Sequence, residues 1–202
     1  MLTDIQKNEK INIAIFASGA GSNARAILKH FKHHSRIKVT LIVTNKSDAG
    51  VIKVAEDFNV EVAVISNTIL KNESQMKVIL GEHRISFIVL AGFLLLIPAY
   101  LIHLFPKRIV NIHPALLPNF GGKGMYGQFV HEAVKNTGAS ETGITIHFCN
   151  EHYDEGDIVI QARCNIDESD SVEDIARKVH ALEHQYYAKQ IEIIVMNNKM
   201  KE

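Results

Sequence analysis

The chain has 202 residues and a mass of 22.6 kDa, which fits one domain of ordinary size or at most two small ones. Its composition, 47% hydrophobic and 22% charged, supports a buried core and excludes a disordered chain. Lysine plus arginine and aspartate plus glutamate both number 22, so the basic excess typical of nucleic-acid-binding proteins is lacking. The charge is unevenly distributed, because residues 1–50 carry eight basic against three acidic residues and residues 139–185 carry three against eleven.

The first predicted elements surround a glycine-rich loop. Residues 1–10 form a polar leader, residues 12–17 an apolar strand and residues 24–31 a helix. Between strand and helix stand Gly19, Ala20, Gly21, Ser22 and Asn23. Backbone amides and a helix N-terminus in this context favour a bound phosphate, although a tight turn without a ligand would use the same glycines. A dinucleotide would need an acidic residue after the second strand, where the chain has Asn45 and Lys46, so a phosphate monoester fits better than a nicotinamide cofactor.

The following elements alternate between strands and helices. We expect strands at residues 39–44, 60–65 and 85–91, and helices at residues 49–58 and 71–83. Because the strands are apolar along their whole length, the pattern predicts a parallel sheet that is covered by helices on both faces.

Residues 85–105 contain no Asp, Glu, Lys or Arg and are long enough to span a bilayer. Gly92 and Pro98 interrupt this segment, which favours a buried strand followed by a short helix, and we expect no contact with a membrane. Cys149 and Cys164 are too few to form a disulfide framework, so we expect a reducing, cytoplasmic location.

Asn111 and His113 stand two positions apart in an extended segment, so both side chains project from one face. An amide and an imidazole together can stabilise an oxyanion and move a proton, as acyl transfer to an amine requires. Asp154 lies in a polar loop at residues 150–156, and a carboxylate near an imidazole can fix its tautomer and raise its pKa. Taken alone, a histidine before a proline more often makes a structural hydrogen bond, and Asp154 is one of several acidic residues in its loop.

The last third of the chain changes character. Two strands are predicted at residues 143–149 and 157–165, joined by the polar loop. A final helix is predicted to begin at Ser171 and to continue towards Met196, with Asp174 completing a capping box at its start. The predicted fold is a single α/β domain with a Rossmann-like, mostly parallel sheet and helices on both faces.

Several motifs occur together in this chain. They are Val89-Leu90-Ala91-Gly92-Phe93, Asn111-Ile112-His113-Pro114 followed by Leu116-Leu117-Pro118, Asp154 before Ile158-Val159-Ile160-Gln161, the glycine loop, and Asn45-Lys46-Ser47-Asp48-Ala49. Their combination resembles the formyltransferases that use 10-formyltetrahydrofolate, over residues 11–190. The resemblance implies one formyltransferase domain over residues 1–202, with a phosphate-binding half at 11–100 and a folate-binding and catalytic half at 101–190.

The resemblance also implies an activity, the transfer of a formyl group from 10-formyltetrahydrofolate to the amine of 5'-phosphoribosylglycinamide in purine biosynthesis. It implies small-molecule partners only, no metal and no nucleic acid, in a monomer or homodimer. Asn111, His113 and Asp154 match the family's catalytic residues, and protonated His113 would stabilise the oxyanion with Asn111. The residues that match the substrate site are Gly19, Ala20, Gly21, Ser22, Asn23 and Glu183, the last as the acid that receives the amine end. The residues that match the folate site are Leu94, Leu95, Ile97, Asn111, Asn150, Glu151, His152, Tyr153 and Asp154.

Three departures from the family pattern bear on the site. Leu95 stands where the family often has an arginine, and a second arginine is missing near Lys71, which we consider as its substitute. The loop at residues 120–127 lacks a histidine found in relatives, and Lys123 and Tyr126 are candidates for closing the site in another way.

Alternative functions remain at this stage. A formyltetrahydrofolate hydrolase or a formyltransferase for another phosphorylated amine would share the catalytic residues, although related enzymes with regulatory or RNA-binding domains are expected to be longer. A remote alternative is a zinc peptidase, because His180, Glu183 and His184 fit a His-x-x-Glu-His pattern on one helix face.

Overall fold

The computed structural model describes residues 10–198 and contains a seven-stranded sheet with seven helices in this range. The strands are β1 (Ile11–Phe16), β2 (Ile37–Thr44), β3 (Glu61–Val64), β4 (Ile85–Leu90), β5 (Ile109–His113), β6 (Glu141–Phe148) and β7 (Ile158–Asn165). The helices are α1 (Ser22–Phe31), α2 (Val51–Asp57), α3 (Asn67–Lys71), α4 (Glu73–Glu82), α5 (Ala99–Leu104), α6 (Gln128–Asn136) and α7 (Val172–Asn198). The predicted leader, residues 1–10, lies outside the described residues except for Lys10.

The strand order of the sheet is β3-β2-β1-β4-β5-β6-β7. The first five strands pair in parallel, whereas β6 and β7 are antiparallel to their neighbours. The order reverses its direction between β1 and β4, and ligands of open α/β sheets bind at the carboxyl ends of the strands at such a point. The predicted α/β fold with a mostly parallel sheet is therefore confirmed, and its topology indicates where to look for a site.

Helices cover both faces of the sheet because the central strands are apolar on both sides. In β1, Ile13 and Ile15 belong to the core beneath α1, α2 and α7, whereas Ala14 and Phe16 belong to the core beneath α3, α4 and α5. All four side chains are fully buried, so these alternating residues of the strand contribute to one core or the other. Strand β1 is thus held rigidly, which fixes the loop that follows it.

Three elements differ from the sequence prediction. The helix predicted at residues 71–83 is preceded by a separate short helix, α3, because Asn72 leaves the helical conformation and caps α4 by accepting a hydrogen bond from the Gln75 backbone. Strand β5 was expected only as an extended segment. Helix α6 was not predicted, since it begins directly after a glycine-rich loop without a capping side chain.

The uncharged segment at residues 85–105 folds as the sequence predicts. It consists of β4, a turn at Gly92 with a positive φ of 77°, and α5, which begins after Pro98. None of the helices within residues 10–198 combines the length and apolar character needed to cross a membrane.

Candidate active site

A cleft of about 700 Å³ opens at the carboxyl ends of β1, β4 and β5, where the sheet order reverses. It brings together residues that are far apart in the sequence. Of the residues predicted from the sequence, those that line it are Gly19, Ala20, Gly21, Ser22, Asn23, Leu94, Leu95, Ile97, Asn111, Asn150, Tyr153, Asp154 and Glu183. The cleft is therefore the candidate functional site.

The glycine loop after β1 has a conformation that exposes the start of α1. Gly21 precedes the helix with a positive φ of 82° and provides no side-chain cap, so the first N–H groups of α1 lack a partner within the helix. No acidic residue stands in the first turn of α1. An anion is favoured at such a helix start by the helix dipole and by the free amides.

Close contact with α2 requires glycine at the same position. A Cβ atom on Gly21 would lie 2.9 Å from the Val51 Cα, and the Val51 N–H donates to the Gly19 carbonyl at 3.1 Å. A Cβ atom added to Gly19 would have no other atom within 4 Å, and Gly19 is exposed on the cleft side of the loop. The two glycines thus serve different purposes, packing at Gly21 and access at Gly19.

Ser18 links the loops that follow three strands. Its hydroxyl donates to the Asn45 side chain at 2.5 Å after β2 and accepts from the Leu94 N–H at 3.0 Å, and its own N–H donates to the Gly92 carbonyl. Lys46, next to Asn45, lines the cleft. These bonds hold the glycine loop against the segment that carries Leu94, Leu95 and Ile97.

Asn111, His113 and Asp154 meet at the end of β5, as the sequence predicts. Asp154 Oδ2 lies 3.5 Å from His113 Nδ1, and Oδ1 accepts from the Asn111 amide at 3.4 Å. The loop that carries Asp154 is fixed by a second contact, because Oδ2 also accepts from the Gly122 N–H at 2.9 Å. Asp154 itself has a positive φ of 58°, a conformation that is costly for a residue with a side chain and that is found at functional sites.

His113 lies behind the cleft rather than in its wall. It is 3% exposed, it does not line the cavity, and its Nε2 donates to the Phe120 carbonyl at 2.7 Å. Burial, the largest effect, lowers the pKa of His113 below its usual 6.5, although the Asp154 carboxylate opposes this shift. His113 therefore lies behind the cleft wall with Nδ1 3.5 Å from Asp154 Oδ2, and its lowered pKa favours the neutral imidazole near neutral pH.

Asp154 remains ionised despite its position. Burial alone would raise the pKa of its carboxyl, but His147, His113 and the Gly122 N–H together lower it below the usual value. A carboxylate that stays charged in the wall of a cleft can accept a proton or hold a cationic group.

His147 is a further residue of the site. It lies opposite Asn111 in the antiparallel pairing of β5 and β6. Its Nδ1 donates to the Phe148 carbonyl at 2.9 Å, which leaves Nε2 to accept from the Asn111 amide at 3.1 Å, and Nε2 also lies 3.6 Å from Asp154 Oδ1. A histidine inside an apolar strand was the only signal, and only the strand register connects it with Asn111.

Glu183 lies on α7 and contacts Asn23, which directly follows the glycine loop. The residue is 4% exposed, and Oε2 accepts from the Asn23 amide at 2.9 Å and from His180 Nδ1 at 2.8 Å. Since a carboxylate accepts only, the amide nitrogen of Asn23 must face it, and Asn23 Oδ1 is left buried without a partner among the described residues. Asn23 Oδ1 is thus a buried acceptor that no described residue satisfies.

The remaining predicted residues are divided between the cleft and the surface. Glu151 and His152 do not line the cavity, and Glu151 instead pairs with His103 of α5 at 3.2 Å. Lys71 ends α3 outside the cleft wall, so it is not placed to replace a missing arginine there. Lys123 and Tyr126 do line the cleft, on the loop that precedes α6.

A family model described as formyl transferase matches residues 11–191, and the chain belongs to this family. Phosphoribosylglycinamide formyltransferase of Bacillus subtilis is 35% identical over 192 residues, which cover 92% of this chain and 96% of that protein. The chloroplastic enzyme of the same name from Arabidopsis thaliana is 43% identical over 185 residues, 88% of this chain and 63% of that protein. The chain thus spans about three-fifths of the length of that plant relative. A solved structure of phosphoribosylglycinamide formyltransferase from Anaplasma phagocytophilum has a TM-score of 0.84 at 27% identity, covering 93% of this chain and 88% of the other.

The zinc-peptidase alternative is not favoured by these findings. Glu183 is bonded to His180 and Asn23, and no group of three or more His, Cys, Asp or Glu residues within the described range 10–198 is arranged to hold a metal ion.

Proposed function

We propose that this protein transfers the formyl group of 10-formyltetrahydrofolate to the amine of 5'-phosphoribosylglycinamide in purine biosynthesis. The observation that carries the proposal is the meeting of Asn111, His113 and Asp154 in a cleft whose other end is the glycine loop. One end of the cleft thus suits acyl transfer and the other a phosphate. The relatives named phosphoribosylglycinamide formyltransferase support the choice of substrate.

The reaction joins the amine nitrogen to the formyl carbon and breaks the bond from that carbon to N10 of the folate. Negative charge develops on the formyl oxygen, and one proton must pass from the amine to N10. Asn111 can donate to the oxygen by giving up its long 3.4 Å contact with Asp154, while His147 continues to hold the amide. Asp154 takes the proton from the amine and passes it on through a bridging water.

Neutral His113 has a supporting role in this scheme. Its Nε2 is occupied by the Phe120 carbonyl, and its Nδ1 faces Asp154 Oδ2. When Asp154 accepts a proton, Nδ1 is the nearby base that stabilises the protonated carboxyl by a hydrogen bond. His113 therefore positions Asp154 and adjusts its basicity.

Three variants test these roles. Removal of one oxyanion donor typically costs about 10²–10³ in rate and loss of a general base about 10²–10⁴, so we expect kcat to fall by factors of this size in Asn111→Ala and Asp154→Asn respectively, and substantially in His113→Ala, with KM nearly unchanged. Matched controls are Asn119→Ala and Asp157→Asn, because both residues are exposed and do not line the cleft. Near-normal turnover in Asp154→Asn or His113→Ala would contradict the mechanism.

The proposal extends to the surroundings of the site. The formyl folate would occupy the apolar part of the cleft along Leu94, Leu95 and Ile97, with Asn150 and Tyr153 also in the cleft wall. Both halves of the chain, 11–100 and 101–190, contribute to this one cleft.

We further propose a cytoplasmic monomer or homodimer that needs no metal and binds no nucleic acid. Size-exclusion chromatography, metal analysis and cell fractionation test these points.

A further inference from the structure

A second cavity, of about 740 Å³, lies at the amino ends of β1, β2 and β3, whereas the active-site cleft lies at the carboxyl ends of the parallel strands. One face of α1, the end of α2 and the turn between α4 and β4 complete its wall. We call this cavity the amino-end groove. It shares no lining residue with the cleft, and its volume suits a small organic molecule.

The floor of the amino-end groove is apolar. It is formed by side chains that belong to the core beneath α1, α2 and α7 or pack against its edge, namely Leu28, Phe31, Val39, Phe58 and Val60. A floor of this kind favours a flat ring or an alkyl group over a fully hydrated ion, because burial of apolar surface is favourable.

A bulge in β2 places Thr40 in the wall of the groove. In the pairing of β1 with β2, Ile13 is opposite Val39 and Ala14 is opposite Leu41, so Thr40 is skipped. Val39 and Leu41 therefore belong to opposite cores, although residues two apart on a regular strand share a face. The Thr40 hydroxyl oxygen is buried and has no hydrogen-bond partner among the described residues. A buried hydroxyl without a partner is costly, and a ligand with a polar edge would supply the missing hydrogen bond.

The rim of the groove carries unpaired positive charge. The side chains of Lys32, Lys38 and Arg84 are exposed and make no ion pair or hydrogen bond within the described part of the chain, against one such carboxylate, Glu82. The other charged or titratable side chains of the groove contact each other, Arg25 with Asp57 at 2.8 Å and His83 with Glu61 at 3.5 Å. The excess of cations favours an anionic group at the rim.

We propose that the amino-end groove binds a nucleoside monophosphate. The ring lies on the apolar floor, a polar edge of the ring bonds to the Thr40 hydroxyl, and the phosphate faces Lys32, Lys38 and Arg84. A free anion would use the rim but would leave the floor and the buried hydroxyl without a partner. The inference does not depend on formyl transfer, because the groove and the cleft have no residue in common.

Titration of the full chain with AMP, followed by the amide signals in nuclear magnetic resonance spectra, locates the ligand directly. We expect shifts of the amide signals at residues 38–40, 58–61 and 82–84. Adenosine and inorganic phosphate, titrated separately, should each bind about tenfold more weakly than AMP, since each uses only part of the groove. Phosphate binding as tightly as AMP, or shifts confined to the glycine loop, would overturn the proposal.

Lys32→Gln and Lys29→Gln form a matched pair, because both lysines are exposed and three positions apart, but only Lys32 lines the groove. We expect the affinity for AMP to fall about fivefold in Lys32→Gln and to stay unchanged in Lys29→Gln. Equal affinities of the two variants would contradict a phosphate at this rim.

Thr40→Val removes the buried hydroxyl and keeps the shape of the side chain. We expect the affinity for AMP to fall about tenfold, whereas the urea midpoint of the free protein should not decrease, since the hydroxyl has no partner to lose. Thr68→Val, at an exposed position outside the groove, is the control. Unchanged AMP affinity in Thr40→Val would refute the assigned contact and with it the nucleotide site.

Discussion

Gly19 and Gly21 lie in the same loop but are required for different physical reasons. Gly21 has a left-handed backbone and touches the Val51 backbone, whereas Gly19 has open space around it on the cleft side. A substitution at Gly21 therefore acts on folding before it acts on binding. Gly21→Val would for this reason not separate an effect on phosphate binding from an effect on folding.

The pair Gly19→Ala and Gly21→Ala separates the two effects. We expect Gly21→Ala to lower the free energy of unfolding by about 2 kcal/mol or more, because a side chain is strained at positive φ and its Cβ meets Val51. Gly19→Ala should change stability by less than about 0.5 kcal/mol but raise the KM for the phosphorylated amine, since its methyl group enters the space of the phosphate. Urea unfolding and steady-state kinetics measure both, and equal stability of the two variants would contradict this account.

Sequence reasoning identified Asn111, His113 and Asp154, but not how they are arranged. The spacing of Asn111 and His113 predicted that they share a face, yet only the packing of Phe120 and Asp154 shows that His113 lies behind the cleft. Likewise, the contact of His147 with Asn111 depends on the register of two strands that are 36 residues apart, which no local pattern encodes.

Sequence patterns predicted the ends of an element most reliably where residues next to each other in the sequence form its cap. Ser171 and Asp174 form the predicted capping box at the start of α7, with each side chain accepting from the other's backbone N–H. Sequence patterns did not predict α6, because this helix depends on tertiary contacts: Val130 and Val134 pack on Ala115. The strand alternation was recognised because each central strand is apolar on both faces.

Loss of the cap on α7 should weaken the fold. We expect Ser171→Ala to lower the free energy of unfolding by about 1 kcal/mol, because the Asp174 N–H loses its partner at the helix start. Ser169→Ala is the control, as Ser169 is exposed and its side chain has no hydrogen bond within residues 10–198. A Ser171→Ala protein as stable as the control would show that the cap contributes nothing.

At the scale of the whole molecule, only a few of the unevenly distributed charges belong to the cleft. Among the basic residues of the first fifty, Lys46 lines the cleft, whereas Arg25, Lys32 and Lys38 line a groove elsewhere on the molecule. Of the acidic residues in the later segment, Asp154 and Glu183 line the cleft. The net asymmetry therefore reflects mainly solvated surface, and the site depends on a few charges.

Two buried histidines make stability depend on pH. Burial lowers the pKa of His113 and of His131 below the usual 6.5, so the unfolded chain binds protons first as the pH falls. The contribution of these two histidines to the free energy of unfolding has its full size above about pH 7. It decreases as the pH falls through 6.5 towards the pKa values of the two histidines in the folded protein. We expect the free energy of unfolding, measured with urea, to decrease less between about pH 7.5 and about pH 5.5 in His131→Leu than in the wild type. His33→Gln, at an exposed position, serves as the control, and an unchanged loss in His131→Leu would contradict the assignment.

Formyl transfer itself can be followed by the disappearance of 10-formyltetrahydrofolate in a spectroscopic assay, with and without 5'-phosphoribosylglycinamide. If the cleft joins a phosphorylated amine to a formyl donor, the folate is consumed only when the amine is present, and one formylated amine forms for each folate released. Consumption at the same rate without the amine, or no consumption with it, would contradict formyl transfer as the function of this protein.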